Sequence, residues 1–192
     1  MTIIETDRLT MRRFLKDDWK DLHEYLSDKQ VVKYEPYNVF NEEDCKSEAE
    51  RRALDNAFWA VCLKENGKMI GNIYFNQQHP KEFSNWELGY VFNPVYYGNG
   101  YATESCRAVI EYGFNILEVR RIVAMCNPQN TRSWKLLERL NMRREGCLRK
   151  NIFFKLDTYG DPIWIDTYEY AVLAEEWSSG ISIDESLPYS KG

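Results

Sequence analysis

The chain has few histidines and no apolar run long enough to cross a membrane. Neither His23 nor His79 has a second ligand at metal-binding spacing, which disfavours histidine catalysis and a histidine-based metal site. A membrane span needs roughly 18 apolar residues in a row, and the N-terminal M-T-I-I-E-T-D-R-L-T lacks the core of a signal peptide. We therefore expect a cytoplasmic protein that binds neither metal nor membrane.

Cysteine pairing and excess basic charge are also missing. The five cysteines are odd in number, widely spaced and free of any C-x-x-C pair, which is typical of reduced thiols in a core. With 25 Lys and Arg against 30 Asp and Glu, the formal net charge is -5. Nucleic-acid-binding domains are usually basic, so we expect no nucleic-acid partner, and a cationic partner fits better.

The length and composition are sufficient for one compact domain. A chain of 192 residues with 44% hydrophobic residues can fill a sizeable core. Residues 178–192 read S-S-G-I-S-I-D-E-S-L-P-Y-S-K-G and have little to bury. We predict a single domain over residues 1–177, followed by a flexible C-terminal tail over residues 178–192, and either a monomer or a homodimer.

The hydrophobic period alternates between that of strands and that of helices and predicts an α+β fold. Strand patterns cover residues 9–14, 58–63, 69–75, 86–92, 121–126, 143–154 and 164–173. Helix patterns begin at Asp17-Asp18, at Asn41, after Gly100 and near Ser133. We expect a mixed, mostly antiparallel central sheet of about seven strands flanked by about four helices. Asn66-Gly67 predicts a two-residue hairpin turn with positive backbone angles.

A glycine-containing stretch, N-P-V-Y-Y-G-N-G-Y-A-T-E-S, joins a predicted strand to a predicted helix. Gly98 and Gly100 leave the backbone unhindered where free amides at a helix start can bind an anion such as phosphate. A tight turn with no ligand is an equally good interpretation of two glycines alone. Tyr101 and Ala102 exclude a Walker A loop, and the preceding antiparallel strands disfavour a dinucleotide-binding fold.

The segment Tyr97-Gly98-Asn99-Gly100-Tyr101-Ala102 resembles the Gln/Arg-x-x-Gly-x-Gly/Ala signature of the GNAT superfamily of acetyl-CoA-dependent N-acetyltransferases. Five further segments resemble its ribosomal-protein N-terminal acetyltransferase branch: T-D-R-L-T-M-R, G-Y-A-T-E, N-x-x-S, R-E-G-C-L-R and D-x-Y-x-Y with E-E-W. Two positions depart from the family pattern. Tyr97 replaces Gln or Arg, and Asn141-Met142 replaces Gly-Phe.

The resemblance implies acetyl-CoA as co-substrate and assigns its binding residues. The pyrophosphate would rest on the amides of Gly98, Asn99, Gly100, Tyr101, Ala102 and Thr103. The pantetheine arm would pair against Val91 and Phe92, with the Val91 amide, or one beside it, polarising the thioester carbonyl. Asn130 matches an asparagine that holds the cofactor arm in relatives.

The resemblance also suggests catalytic residues. Glu87 matches the position of a general base, but a solvated strand carboxylate is an equally good interpretation. The end of the strand over residues 121–126, which supplies the base in another branch, carries Met125. Leu137 occupies the position at which many relatives have a tyrosine that acts as a general acid. Ser133 is therefore the remaining candidate to protonate the departing thiolate. Ser133 is equally well interpreted as an N-cap or first-turn hydroxyl.

Three functions remain open from the sequence. The first, which we favour, is acetyl transfer to a protein N-terminal α-amine. The second is acetyl transfer to a small amine such as a polyamine or an antibiotic. The third is a non-catalytic module that binds acetyl-CoA or a partner. Aromatic and acidic residues in the predicted loops suit a cationic amine, although aromatics at 15% of the chain also serve the core.

Overall fold

The computed structural model describes residues 2–179 and contains eight strands and five α-helices. The strands are β1 (Ile4–Glu5), β2 (Leu9–Arg12), β3 (Phe58–Leu63), β4 (Met69–Gln77), β5 (Asn85–Phe92), β6 (Arg121–Cys126), β7 (Arg143–Leu156) and β8 (Pro162–Leu173). The helices are α1 (Trp19–Leu26), α2 (Glu42–Ala53), α3 (Tyr101–Asn115), α4 (Thr131–Arg139) and α5 (Ala174–Ser179).

All eight strands form one sheet in the order β1-β2-β3-β4-β5-β6-β8-β7. Every neighbouring pair is antiparallel except β5 and β6, which are parallel. The prediction of a mixed, mostly antiparallel α+β sheet is therefore confirmed. The sequence pattern missed β1, which has two residues and is too short to display a period. It also missed α5, which continues β8 without a loop.

Helices cover both faces of the sheet and create two hydrophobic clusters. Alternate β3 residues point to opposite faces, so Trp59 and Val61 join the cluster with α3 and α4, whereas Ala60 and Cys62 join the cluster with α1 and α2. Four of the five predicted free cysteines are buried, and Cys147 is exposed. The candidate site lies in the middle of the sheet, where β5 and β6 separate.

Two local predictions had different outcomes. Asn41 caps α2 as expected, because its Oδ1 accepts from the Asp44 amide at 3.0 Å while the Asp44 carboxylate accepts from the Asn41 amide at 3.0 Å. The β3–β4 hairpin exists, but the predicted turn geometry is wrong. Gly67 alone takes a positive φ, of 73°, and its amide donates to the Leu63 carbonyl at 2.8 Å. The Asn66 side chain instead accepts from the Lys68 amide at 3.0 Å.

The C-terminal boundary stays a prediction. α5 extends to Ser179, two residues into the segment that we assigned to a tail, and the rest of that segment lies outside the described residues. Among residues 2–179, no helix is both long and apolar enough to cross a membrane.

Candidate active site

The site begins where β5 and β6 separate. Within the described chain, the two parallel strands pair only from Asn85 with Arg121 to Glu87 with Val123. Beyond that point β5 continues along β4, and β6 continues along β8. The remainder of β5 therefore has one edge without a strand partner, which is where an extended ligand can add main-chain hydrogen bonds.

The direction of the backbone along β5 corrects one expectation. The Asn93 amide donates to the Ile70 carbonyl at 2.9 Å, and the Gln78 amide donates to the Asn85 carbonyl at 2.8 Å. Bonding alternates along an antiparallel pair, so odd-numbered β5 residues, including Val91, bond to β4. The Val91 amide does not face the gap. The neighbouring Tyr90 and Phe92 amides face it, which agrees with the alternative of a donor beside Val91.

The gap opens into a cleft of about 930 Å³. Its lining includes all but one of the residues predicted for the site: Glu87, Val91, Phe92, Gly98, Gly100, Tyr101, Ala102, Thr103, Asn130 and Ser133. Asn99 is the exception, since its Nδ2 donates back to the Tyr96 carbonyl at 3.1 Å and the Tyr97 carbonyl at 3.3 Å. The Asn99 side chain thus holds the loop, and its contribution to a ligand would come from its backbone.

The loop before α3 presents a group of unpaired amides. Gly98 and Gly100 have φ angles of 82° and 81°, a region that glycine enters without steric cost. None of the amides of residues 98–103 donates a hydrogen bond to another group in the described part of the chain. Because α3 has 15 residues, its dipole adds to these donors and favours an anion.

A second set of contacts anchors the start of α3 from outside the cleft. The Glu104 carboxylate accepts hydrogen bonds from the Thr6 hydroxyl and from the Arg8 backbone and guanidinium. Burial alone would raise the pKa of Glu104, but these donors outweigh it and lower the pKa below its ordinary value. The glutamate of G-Y-A-T-E therefore fixes the helix against the β1–β2 connection.

Three cationic side chains that our sequence interpretation missed lie along α4. Arg132, Lys135 and Arg139 line the cleft and form no ion pair with any carboxylate among residues 2–179. The Arg139 Nε lies 3.4 Å from the Thr103 hydroxyl. Their spacing of three, four and seven residues places them on one helix face, and that spacing is a signal that could have revealed them.

Tyr97, the departure from the family signature, has a structural role. Its hydroxyl donates to the Phe92 carbonyl at 3.1 Å, which satisfies a main-chain acceptor at the end of β5. The Arg132 guanidinium lies 5.2 Å from the centre of the Tyr97 ring, within cation–π distance. A positive charge thus stands beside the position where the family pattern expects Gln or Arg.

Asn130 and Ser133 belong to the first turn of α4. Asn130 is the N-cap, because its Oδ1 accepts from the Ser133 amide at 3.3 Å. The Tyr90 hydroxyl lies 3.0 Å from both the Ser133 carbonyl and the Ser133 Oγ. Burial raises the pKa of Tyr90 well above its ordinary value, so this hydroxyl stays protonated. Tyr90 is a further residue that the sequence interpretation missed, and it orients Ser133.

The cleft also contains carboxylates. Glu87 accepts a hydrogen bond from the Gln78 side chain at 2.8 Å, and burial raises the pKa of Glu87. Glu35, in the segment between α1 and α2, also lines the cleft; it was missed because that segment shows no period. Neither carboxylate has an ion-pair partner within 4.0 Å in the described residues, whereas Glu48 is paired with Arg51 and Arg52. The cleft therefore combines three α4 cations with two carboxylates that have no ion-pair partner among the described residues.

Within residues 2–179, no group of three or more His, Cys, Asp and Glu residues is arranged to hold a metal ion. Met125 lines the cleft at the end of β6, and its thioether cannot accept a proton from an amine. The cleft lining includes carboxylates and hydroxyls that can transfer protons, among them Glu87 and Ser133.

Comparison with known proteins agrees with this geometry. The model of the acetyltransferase (GNAT) domain matches residues 8–143. An uncharacterized N-acetyltransferase of Bacillus subtilis, YnaD, is 40% identical over 176 residues, which cover 91% of this chain and 99% of that protein. The crystal structure of a GNAT-family acetyltransferase from Bacillus anthracis superposes with a TM-score of 0.82 at 38% identity, covering 91% of this chain and 100% of that one.

Two more distant relatives have named substrates. The spermidine N(1)-acetyltransferase of Escherichia coli is 23% identical over 88% of this chain and 91% of its own length. The [ribosomal protein uS5]-alanine N-acetyltransferase of Escherichia coli is 26% identical over 92% of this chain and 93% of its own length. The matched family model and the 40% identical relative each span more than half of the chain. The chain belongs to the GNAT family of N-acetyltransferases.

Proposed function

We propose that the protein transfers the acetyl group of acetyl-CoA to a primary amine, and that this amine is the α-amino group of a protein N-terminus. The unpaired amides of residues 98–103, beside three unpaired cations on α4, carry the proposal. They supply donors and positive charge for a pyrophosphate. The carboxylates of Glu35 and Glu87, which line the same cleft, suit a cationic acceptor.

The transfer requires a neutral amine, a polarised carbonyl and a leaving thiolate. The ammonium form of the acceptor loses a proton, and its nitrogen attacks the thioester carbon while the Tyr90 or Phe92 amide stabilises the developing oxyanion. The nitrogen loses a second proton as the carbon–sulfur bond breaks, and the CoA thiolate takes up one proton. The products are the acetylated amine, free CoA and one proton that is released to solvent.

We propose Glu87 as the base and test it by Glu87→Gln. Burial raises the pKa of Glu87, so the carboxylate form that accepts protons appears only as the pH rises through that raised value. General-base catalysis contributes about 100-fold or more, so we expect kcat/KM for the amine to fall about 100-fold. The acidic limb of the pH–rate profile that belongs to Glu87 should also disappear.

The matched control is Glu82→Gln, an exposed carboxylate in the turn before β5. It should leave both rate and profile unchanged. A Glu87→Gln enzyme that retains the wild-type profile would leave Glu87 as a solvated strand carboxylate and assign the base elsewhere.

For Ser133 we propose protonation of the CoA thiolate, oriented by Tyr90. A free thiol has a pKa of about 8.5, so the thiolate is a fair leaving group and the expected gain is modest. Ser133→Ala should lower kcat about 10-fold with acetyl-CoA affinity unchanged, as measured by stopped-flow turnover and calorimetry. Tyr90→Phe keeps the ring and should reproduce part of the loss. Normal turnover in Ser133→Ala would leave Ser133 with a structural role in α4.

The choice of acceptor is tested with a substrate panel. Peptides that begin with Ala or Ser should be acetylated with higher kcat/KM than spermidine, simple diamines and aminoglycosides. The resemblance of five segments to the ribosomal-protein branch favours the peptide, whereas the spermidine-acetylating relative supports the small amine as the second candidate. Faster turnover of a small amine would replace the proposed acceptor. Tight acetyl-CoA binding without turnover of any amine would instead support a non-catalytic module.

A further inference from the structure

The segment between α1 and α2 forms one wall of the cleft. Tyr34, Glu35, Pro36 and Tyr37 all line the cleft. The Tyr34 hydroxyl donates to the Gln129 carbonyl at 3.3 Å, and the Lys155 Nζ donates to the Lys33 carbonyl at 3.4 Å. These bonds connect the segment to the β6–α4 connection and to β7. The segment is therefore held across the site from two sides.

Glu35 is the carboxylate that this wall contributes. It is half-buried and has no ion-pair partner within 4.0 Å in residues 2–179. The nearby Arg52 donates from its Nε to Glu48 at 2.7 Å, and its guanidinium lies 4.6 Å from the centre of the Phe58 ring. Its buried Nη1 has no hydrogen-bond partner among the described residues, yet it forms no ion pair with Glu35 within 4.0 Å. The Glu35 carboxylate in the cleft is thus left for an external cation.

We propose that Glu35 binds the ammonium group of the acceptor and so selects amines that are cationic when they enter the cleft. This inference rests on the proposed acetyl transfer and adds the residue that recognises the acceptor. Glu35 acts in binding, and proton transfer from the bound amine is left to Glu87. The aromatic rings of Tyr34 and Tyr37, which line the same wall, suit an organic cation as well.

The electrostatic surroundings of Glu35 give this binding a pH dependence. Burial raises the pKa of Glu35 to about 7, while a hydrogen bond from Tyr37 and the charge of Arg52 oppose that rise. Glu48 and Arg51 of α2 largely compensate each other. The charge of Glu35 in turn acts on Tyr97, and Tyr34 and Glu87 line the same cleft. As pH rises through about 7, Glu35 ionises and ammonium binding should strengthen.

The first test measures acceptor binding without turnover. We would titrate the complex of the protein with CoA by calorimetry, using an Ala-starting peptide and spermidine as probes at pH 6 and pH 8. Glu35→Gln should raise the Kd of the accepted amine about 10-fold or more at pH 8, because hydrogen bonds to charged groups contribute about 1.5–3 kcal/mol. At pH 6, where the wild-type carboxylate is largely protonated, the difference should shrink. Binding of CoA itself should not change.

The matched control is Glu111→Gln, the same substitution at an exposed carboxylate on α3 that does not line the cleft. A second control is an acceptor of low pKa that is neutral at pH 8, whose KM should be insensitive to Glu35→Gln. This comparison separates recognition of charge from a general change in cleft shape.

Thermal unfolding of the free protein gives an independent readout. The pKa of Glu35 is raised in the folded state, so the folded protein loses stability as pH rises from the ordinary carboxyl value through about 7. A glutamine at this position does not ionise, so the Glu35→Gln variant does not lose this stability as pH rises. The Tm of Glu35→Gln should therefore exceed that of the wild type by about 3 °C or more at pH 8, and the difference should vanish only below the ordinary carboxyl value, at about pH 4.

The outcomes of the two tests are distinct. Wild-type amine affinity in Glu35→Gln at pH 8, for both the peptide and spermidine, would overturn the assignment of Glu35. If no amine is acetylated but the Kd difference persists, the proposed acetyl transfer fails and Glu35 remains the ammonium site. If acetylation proceeds while Glu35→Gln changes neither Kd nor its pH dependence, acetyl transfer stands and the inference about Glu35 fails.

Discussion

Replacement of Gly100 by glutamate should weaken acetyl-CoA binding about 1,000-fold. The new side chain would start at the N-terminus of α3, with its Cβ 3.6 Å from the Arg8 Nη2 and its charge beside the unpaired amides of residues 98–103, where the pyrophosphate is expected. Two unit charges about 4 Å apart at a protein surface repel by about 4 kcal/mol, which corresponds to that change in Kd. Isothermal titration of wild type and variant with acetyl-CoA measures the effect directly.

The control for this experiment must share its backbone strain. Gly67 has a φ of 73° against 81° for Gly100, and an added Cβ would have no neighbour within 4 Å at Gly67. Gly67→Glu therefore introduces the same side chain at a similar φ, in the β3–β4 hairpin outside the cleft. It should lose stability by a comparable amount and keep its acetyl-CoA affinity. Unchanged affinity in Gly100→Glu would mean that the anion site lies elsewhere.

Gly89→Leu should abolish most of the turnover, with kcat/KM for the amine reduced about 1,000-fold. Gly89 lies on β5 between Glu87 and Val91, on the same face as both, and lines the cleft. An added Cβ would contact only Tyr74, at 3.5 Å, so the strand can accept a side chain. That side chain would project into the space beside Glu87 that the acceptor must cross. Misplacement of reacting atoms by about 1 Å already costs about 100-fold.

Acetyl-CoA binding distinguishes this obstruction from misfolding. The edge of β5 toward β6 is formed by the backbone groups of even-numbered residues, which lie in the plane of the sheet. A side chain at residue 89 would project from the sheet face, perpendicular to that edge, so the Kd for acetyl-CoA should change only a few-fold. Gly146→Leu, at a β7 glycine with open space around it, is the matched control. Normal amine turnover in Gly89→Leu would place the acceptor path on another face of the sheet.

The sequence patterns predicted most of the sheet because its strands are bounded by clear turn residues. The limits of β3 and β6 agree with the predicted residues 58–63 and 121–126. The hairpin turn after β3 was misassigned, since Asn-Gly favours one turn type but the side chain of Asn66 can bond locally and support another. The type of turn depends on the register of the two strands, and a local sequence pattern does not specify that register.

The residues that we propose for the cofactor could be named from the sequence because they lie together in it, whereas Glu35, which we propose for the acceptor, could not. The glycine loop and α4 each form a short segment that carries its own pattern. Glu35 becomes part of the site only because the α1–α2 segment crosses to Gln129 and because α2 places Arg52 nearby. The direction of the Val91 amide likewise depends on the pairing of Asn93 with Ile70, a long-range contact.

The central claim is that one cleft binds the cofactor at the start of α3, beside the α4 cations, and the acceptor amine at Glu35 and Glu87. Its most direct test is a crystal structure of the protein with CoA joined covalently to an Ala-starting peptide. We expect the pyrophosphate on the amides of residues 98–103, the pantetheine along the Tyr90 and Phe92 edge of β5, and the peptide amine between Glu35 and Glu87. A pyrophosphate bound away from these amides, or a peptide leaving the cleft past α4, would contradict the account.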